Sequence, residues 1–315
     1  MKIVILDAAS LGEDVDLSPI VNLGETTVYD YVTPEQLPQI VADAEVIVYN
    51  KTKLTAQVLE QAKKLKLVCV TATGFDTVDT QYCRARGIGV CNVPGYSTDS
   101  VAQLTVALAL HLATHLKEYR EFVHSGGYSA GRIANKLSPC WNELTGKTWG
   151  VVGGGNIGNR VANIARAMGC RVVMYRRNPD PEFETVDLDT LCGMSDVISV
   201  HLALNGETRG MVSDARIRKM KKNALVINVA RGAVADEEAL ARAIEEDRIG
   251  GLGVDVYSTE PFGGDHPFSR ILDRDNVCLT PHMAWGSIEA RNRCIAKVAE
   301  NIVSFCRGES LNRVE

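Results

Sequence analysis

Three segments of the chain carry side chains suited to binding an anion and moving a proton. They are Ile227-Asn228-Val229-Ala230-Arg231-Gly232-Ala233-Val234, Gly253-Val254-Asp255-Val256-Tyr257-Ser258-Thr259-Glu260-Pro261 and Thr280-Pro281-His282-Met283-Ala284-Trp285. A guanidinium offers a fixed positive fork to an oxyanion. An imidazole exchanges protons near neutral pH, and a carboxylate beside it sets its orientation. Each segment lies at the end of a β-rich run or in the loop after it. Ligands of doubly wound sheets bind beyond the carboxyl ends of the strands, so Arg231, Glu260 and His282 can converge although they are far apart in the chain. Singly, each has a structural reading: Arg231 capping a strand end, Glu260 a surface carboxylate before Pro261, His282 a hydrogen-bonded core histidine. Their joint occurrence after a dinucleotide-type loop favours the functional reading.

That loop is Thr148-Trp149-Gly150-Val151-Val152-Gly153-Gly154-Gly155-Asn156-Ile157-Gly158, with G-x-G-x-x-G at Gly153, Gly155 and Gly158. The three glycines serve a tight turn, close approach of backbone to pyrophosphate, and close helix–strand packing. The helix that follows points its amide-rich start at the phosphates. Alone the spacing is a weak signal in a chain with 27 glycines. A β-run before it, an amphipathic helix after it and a second strand at Arg171–Tyr175 supply the missing context. After that strand, an NAD-type site places an acid for the ribose 2′-hydroxyl. Here Arg176-Arg177-Asn178 stands instead, and two guanidinium groups suit a 2′-phosphate. NADP is therefore the favoured cofactor and NAD the alternative, in which both arginines are solvated loop charges.

The elements that must position these residues form two series. β-rich runs at Lys2–Leu6, Thr26–Tyr31, Glu45–Tyr49, Leu67–Thr71 and Ile88–Cys91 alternate with helical stretches such as Thr55–Lys64 and Thr80–Arg86. Alternation of this kind predicts βαβ units and a parallel sheet. One long helix is expected from about Val101 to Val123, followed by an irregular arm over Tyr128–Gly146. The alternation then restarts, with strands at Thr148–Val152, Arg171–Tyr175, Val197–Val200, Ala224–Asn228, Gly251–Val254 and Val277–Leu279. Helices are expected at Asn156–Met168, Asp214–Met220 and Asp236–Asp247, and a last one, Ser287–Cys306, packs back on the first domain. The fold class is α/β: two doubly wound parallel-sheet domains, one flavodoxin-like and one Rossmann, around a cleft. The expected division is 1–98 plus 286–315 for a discontinuous substrate-binding domain and 99–285 for the dinucleotide-binding domain.

Composition narrows the class. The chain has 315 residues, 45% hydrophobic and 23% charged, with a net charge of −5. This gives no electrostatic reason to expect nucleic acid or an anionic membrane as partner. The start, MKIVILDAAS, does not read as a signal peptide, and no apolar run approaches the roughly 20 residues that span a bilayer. Nine cysteines without a C-x-x-C pair argue for thiols in a reducing cytoplasm. His111 and His115, four apart, have the spacing of a metal pair, but no third ligand is evident, and packing histidines are the simpler reading. Lys51, after the third strand, is a candidate substrate contact or a solvated lysine.

The motifs resemble those of the D-isomer-specific 2-hydroxyacid dehydrogenases. The resemblance extends over nearly the whole chain: Ala72-Thr73-Gly74-Phe75-Asp76-Thr77-Val78-Asp79, Ser100-Val101-Ala102-Gln103, the glycine loop, Thr208-Arg209-Gly210 and the three segments above. It is nearest to the glycerate dehydrogenase, or hydroxypyruvate reductase, branch, through Val93-Pro94-Gly95-Tyr96-Ser97-Thr98-Asp99 and the Pro-His-x-Ala-Trp form around His282. The resemblance implies that Arg231 binds the substrate carboxylate and polarises the C2 carbonyl. It implies that His282 is the general acid in reduction, and that Glu260 orients its ring and favours its protonated form. Amides near Gly74 and Phe75 would hold the carboxylate from the other domain. Asp255 would meet the nicotinamide carboxamide, while Thr105, His201, Leu204 and Ala230 would line the cofactor cleft. Three residues depart from the pattern: Ala203 where proline is usual, Gly154 in the phosphate turn, and Arg176 in place of the acid. A homodimer is implied by the same resemblance. The alternatives are a D-lactate-type or broad 2-oxo acid reductase and, in another class, an NAD(H)-sensing corepressor-like binding protein.

Overall fold

The computed structural model describes residues 1–315, which divide into two compact units, Met1–Ser97 with Trp285–Glu315, and Thr98–Ala284. In the first unit the elements run β1 (Lys2–Ile5), α1 (Ser18–Val21), β2 (Glu25–Val28), α2 (Leu37–Val41), β3 (Val46–Tyr49), α3 (Ala56–Leu59), β4 (Leu67–Val70), α4 (Thr80–Ala85) and β5 (Gly89–Cys91). Their order in the sheet is β2-β1-β3-β4-β5, parallel throughout. This is the flavodoxin-like order expected from the alternation. β3 and β4 are buried at every position, as strands covered on both faces must be. One cover is the last helix, Ile288–Cys306, which packs against α1 and β4 and buries Ala290, Cys294, Ile295, Val298 and Ile302.

The second unit opens with α5 (Thr98–Ala113), α6 (Leu116–His124) and α7 (Gly127–Ala130). The single helix expected over 101–123 is thus two helices. The break lies at His115, whose φ is +53°. The Thr114 hydroxyl turns back to the Leu110 carbonyl at 2.6 Å, and His115 Nδ1 pairs with Glu118 Oε1 at 2.9 Å. No glycine or proline announces the break, because a histidine adopts the left-handed conformation that glycine normally supplies. It also separates His111 from His115, so the pair does not share one continuous helix face.

The sheet of this unit contains β6 (Thr148–Val152), β7 (Arg171–Tyr175), β8 (Glu184–Thr185), β9 (Val197–Val200), β10 (Leu225–Asn228), β11 (Gly251–Val254) and β12 (Val277–Leu279). The helices between them are α8 (Asn156–Ala167), α9 (Leu188–Met194), α10 (Asp214–Ile217) and α11 (Glu237–Glu245). The strand order is β12-β11-β10-β9-β6-β7-β8, all parallel. This is the doubly wound order with one strand added beyond the sixth. The two-residue β8 was not expected, since two residues carry no period. α5 packs on β10, β11, β12 and α8, and its buried Thr105 donates to the Val101 carbonyl at 2.7 Å. Trp149, wholly buried on β6, donates its indole N–H to Ser199 Oγ on β9 at 2.9 Å; left unpaired there, that donor would cost about 1–3 kcal/mol. No helix is long and apolar enough to cross a membrane.

Candidate active site

β10, β11 and β12 lie side by side, and their carboxyl ends carry Arg231, the Asp255–Glu260 loop and His282. The convergence anticipated from three distant segments is therefore a consequence of strand order. Arg231 leaves β10 in an extended conformation, φ −149°, ψ 140°. Asn228, the last residue of that strand, is buried, and its amide bonds both the Arg231 carbonyl (3.0 Å) and the Ala230 N–H (3.1 Å). The start of the arginine loop is thus fixed from within.

Glu260 and His282 meet directly. His282 Nδ1 lies 2.6 Å from Glu260 Oε2, while Glu260 Oε1 accepts the Tyr257 N–H at 2.9 Å. The carboxylate is held by its own loop at one oxygen and presents the other to the ring. His282 has φ +55°, a conformation that costs a non-glycine residue on the order of 1 kcal/mol. Asp255 sustains it. This fully buried carboxylate accepts the Thr280 hydroxyl (2.6 Å) and the amides of Met283 and Ala284 (2.8 Å each). Burial pushes the Asp255 carboxyl up, and the Thr280 hydroxyl and the two amides partly offset this. The anticipated partner of Asp255 was the cofactor; its partners within the chain are the residues that flank His282.

The glycine loop occupies the other landmark of the sheet. β6 and β9 are neighbours, and the chain runs outward from them in opposite directions, so the crevice at their carboxyl ends is the topological switch point. Gly153 has φ +107°, and a Cβ there would lie 2.9 Å from the His201 carbonyl oxygen. A Cβ on Gly158 would come within 1.9 Å of the Gly153 carbonyl oxygen, whereas none of the surroundings crowds Gly155. The turn is tight on the protein side and open on the other. The amides of Asn156 and Ile157 begin the 12-residue α8 and could hold a pyrophosphate. His201 follows β9. Neither of its ring nitrogens has a hydrogen-bond partner in the protein, and burial pushes its pKa down to about 3. A buried donor without a partner beside a glycine turn fits a dinucleotide. Leu204, in the loop that follows β9, packs on the core of this unit.

Arg176 and Arg177 both stand at the end of β7, but each has an acid partner. Arg176 pairs with Asp180, whose side chain is buried and also accepts the Glu182 and Phe183 amides. A Cβ on Gly154 would lie 2.9 Å from Arg176 Cδ, so that glycine makes room for the arginine stem. Arg177 reaches Glu207 at 3.3 Å in the open. Neither partner was legible in the Arg-Arg-Asn run alone.

In the first unit, the loops after β3 and β4 carry the remaining candidates. The Asp7 carboxylate gathers the first loop, accepting the amides of Asn50 (2.7 Å), Lys51 (2.7 Å) and Thr52 (2.8 Å). Asn50 Nδ2 in turn reaches the Thr71 carbonyl and hydroxyl at 3.0 and 2.8 Å. The approach to Gly74 and Phe75 is pinned by Thr73 Oγ1 on the Val93 carbonyl (2.9 Å) and Asn92 Nδ2 on the Thr73 carbonyl (2.7 Å). Sequence reading overlooked Asp7 as an organiser; an aspartate directly after a strand was the available signal.

Comparison with known proteins agrees with this geometry. Residues 106–284 match the model of the D-isomer specific 2-hydroxyacid dehydrogenase NAD binding domain. The chain is 34% identical to a hydroxypyruvate reductase of Blautia hydrogenotrophica, over 100% of this chain and 99% of that one. It is 38% identical to a glyoxylate reductase of Thermococcus litoralis, over 82% and 78%. Among solved structures it resembles an acyclic imino acid reductase in complex with NADPH and D-Arg, at TM-score 0.90 and 27% identity, with both chains covered completely. With two sheets of the expected orders and a family model that spans more than half its length, this chain belongs to the D-isomer-specific 2-hydroxyacid dehydrogenases.

Proposed function

We propose that the protein reduces hydroxypyruvate to D-glycerate, and glyoxylate to glycolate, as a member of the glycerate dehydrogenase branch. The observation that carries this reading is the 2.6 Å contact of His282 Nδ1 with Glu260 beside the Arg231 loop. A bound nicotinamide nucleotide would supply the hydride. Arg231 binds the carboxylate and draws electron density toward the carbonyl oxygen. With Nδ1 engaged by Glu260, His282 gives the proton from Nε2 to the oxygen as it becomes an alkoxide. In the first unit, the amides near Gly74 and Phe75 and the side chain of Lys51 are the proposed substrate contacts. Gly153, Gly155, Asn156, Ile157 and Gly158 would hold the pyrophosphate, Asp255 would meet the nicotinamide carboxamide, and Thr105, His201, Leu204 and Ala230 would line the cofactor cleft.

We infer a preference for NADP, with NAD as the alternative. Arg176, seated on Gly154 at the edge of the phosphate turn, supports it; Asp180 would yield its partner to the 2′-phosphate. We also infer a homodimer in the cytoplasm. Leu116, Val123, Ile133, Leu137 and Trp141 are exposed apolar side chains within one segment, Ile133 and Leu137 at 72% and 74%, and such clusters mark interaction surfaces. All nine cysteines are free thiols, which suits a reducing compartment.

The test is the initial rate of NADPH and NADH oxidation with hydroxypyruvate, glyoxylate and pyruvate. Hydroxypyruvate turning over fastest with NADPH is the expected result. Pyruvate as the best substrate would move the protein to the D-lactate type, and no turnover with any of the three would reject the reductase reading. Light scattering of the purified protein checks the dimer.

A further inference from the structure

A second carboxylate–imidazole pair lies behind the first, in the same unit. Glu237, the first residue of α11, is 8% exposed. Its Oε1 accepts the Ser258 N–H at 2.9 Å, and its Oε2 accepts both the Ser258 hydroxyl and His266 Nε2, the latter at 3.1 Å. His266 is buried as well, and its Nδ1 accepts the Phe268 N–H at 3.2 Å. An acceptor at Nδ1 leaves the proton on Nε2, so the ring donates to Glu237. The rings of Phe262 and Phe268 flank it, with centroids at 4.9 and 5.1 Å.

What this pair holds is the loop that bears Glu260. Ser258 is clamped at its backbone and at its hydroxyl. Its neighbour Tyr257 donates its N–H to Glu260 and its phenol hydroxyl to the Thr280 carbonyl, at 2.8 Å, two residues before His282. The arginine loop is pressed on the same peptide. A Cβ on Gly232 would lie 2.1 Å from the Tyr257 carbonyl carbon and 2.2 Å from the Ser258 nitrogen. Glu237 follows Arg231 and Gly232 by one short turn. The loops beyond β10 and β11 therefore meet at the Tyr257–Ser258 peptide, the Tyr257 side chain ties them to the loop beyond β12, and Glu237 holds the peptide through Ser258.

We propose that Glu237, with His266 as its buried donor, is a positioning residue for the reduction: it sets the distance between Glu260 and His282 and their register with Arg231. Glu237 is buried, and its side-chain hydrogen bonds go to Ser258 and His266. The proposal rests on the catalytic roles given above to Arg231, Glu260 and His282. A shift of a few tenths of an ångström in a hydrogen-bonded acid–base pair is felt in the chemical step far more than in nucleotide binding.

The experiment compares Glu237→Gln, Ser258→Ala, Ser258→Thr and His282→Ala with the wild-type protein. Each rate is normalised to the fraction of enzyme that binds cofactor, measured by fluorescence titration. The expected result for Glu237→Gln is a kcat at least about tenfold lower, with the cofactor Kd within twofold of wild type. Ser258→Ala loses about threefold in kcat, and Ser258→Thr, which keeps hydroxyl and amide, restores it. A purely structural role would lower the competent fraction and leave the normalised kcat unchanged; that outcome overturns the proposal. If Glu237→Gln does not fold, the serine pair decides, and equal kcat for Ser258→Ala, Ser258→Thr and wild type overturns it. Near-normal turnover by His282→Ala would overturn the catalytic reading and this proposal together, whereas a dead His282→Ala beside a fully active Glu237→Gln overturns this proposal alone.

Discussion

Asp255 holds the backbone on the far side of His282: its carboxylate takes the amides of Met283 and Ala284, the two residues that follow the histidine, at 2.8 Å each. Those two bonds tie down the chain that follows His282, whose φ is +55°. An aspartate read from sequence as a cofactor contact is, within this chain, the support of the acid–base turn.

Changing Asp255 to Asn tests that support. An amide nitrogen facing buried N–H groups leaves donors without acceptors, at a cost of about 1–3 kcal/mol. The urea midpoint is expected to fall, and kcat to drop at least about tenfold as the turn relaxes. Wild-type kcat in a folded variant would show that the turn holds His282 without the carboxylate.

His282→Ala removes the proton donor and should lower kcat by at least about 10²-fold. Arg231→Ala should behave differently, raising KM for the oxo acid and lowering kcat together, because one guanidinium serves both carboxylate and carbonyl. Steady-state kinetics with hydroxypyruvate separate the two signatures. A change in KM alone for Arg231→Ala would confine that residue to binding.

The paired change Arg176→Asp with Arg177→Ser should move the ratio of kcat/KM for NADPH over NADH toward NADH. Asp180→Asn should move it the other way, since it frees the Arg176 charge from its acid partner on the same loop. If the paired change leaves the ratio where it was, the 2′-phosphate site is not at these arginines.

His201 gives a pH dependence. Burial lowers its folded-state pKa to about 3, below the unfolded value of about 6.5. The unfolded chain therefore binds the extra proton first as the pH falls. The contribution of the neutral ring is complete above about pH 6.5 and is lost progressively toward pH 3. Urea midpoints at neutral and mildly acid pH should show this loss, and His201→Gln should flatten it. Equal slopes for the two proteins would mean that His201 is open to solvent and protonates freely.

Much of the molecule was legible in the chain because the signals were local. Alternating apolar runs and helical stretches specified two parallel sheets, since a strand buried on both faces must be apolar throughout. Gly153, Gly155 and Gly158 marked the glycine turn by their spacing, and at Gly153 and Gly158 only glycine admits the backbone approaches found there. Arg231, Glu260 and His282 could be singled out because each follows a strand. What only the tertiary structure decided were the partners. Asp7 gathers the loop at Asn50–Thr52, Asp180 takes Arg176, and Glu237 clamps Ser258 while receiving His266; such pairs form where strand order brings together residues that no spacing relates. The break at His115 belongs with them, since no glycine or proline in the sequence announced it. Local periodicity depends on a residue's neighbours in the chain, whereas the pairing of a buried charge depends on which donors the fold leaves within three ångströms, and that distance exists only once the sheets are assembled.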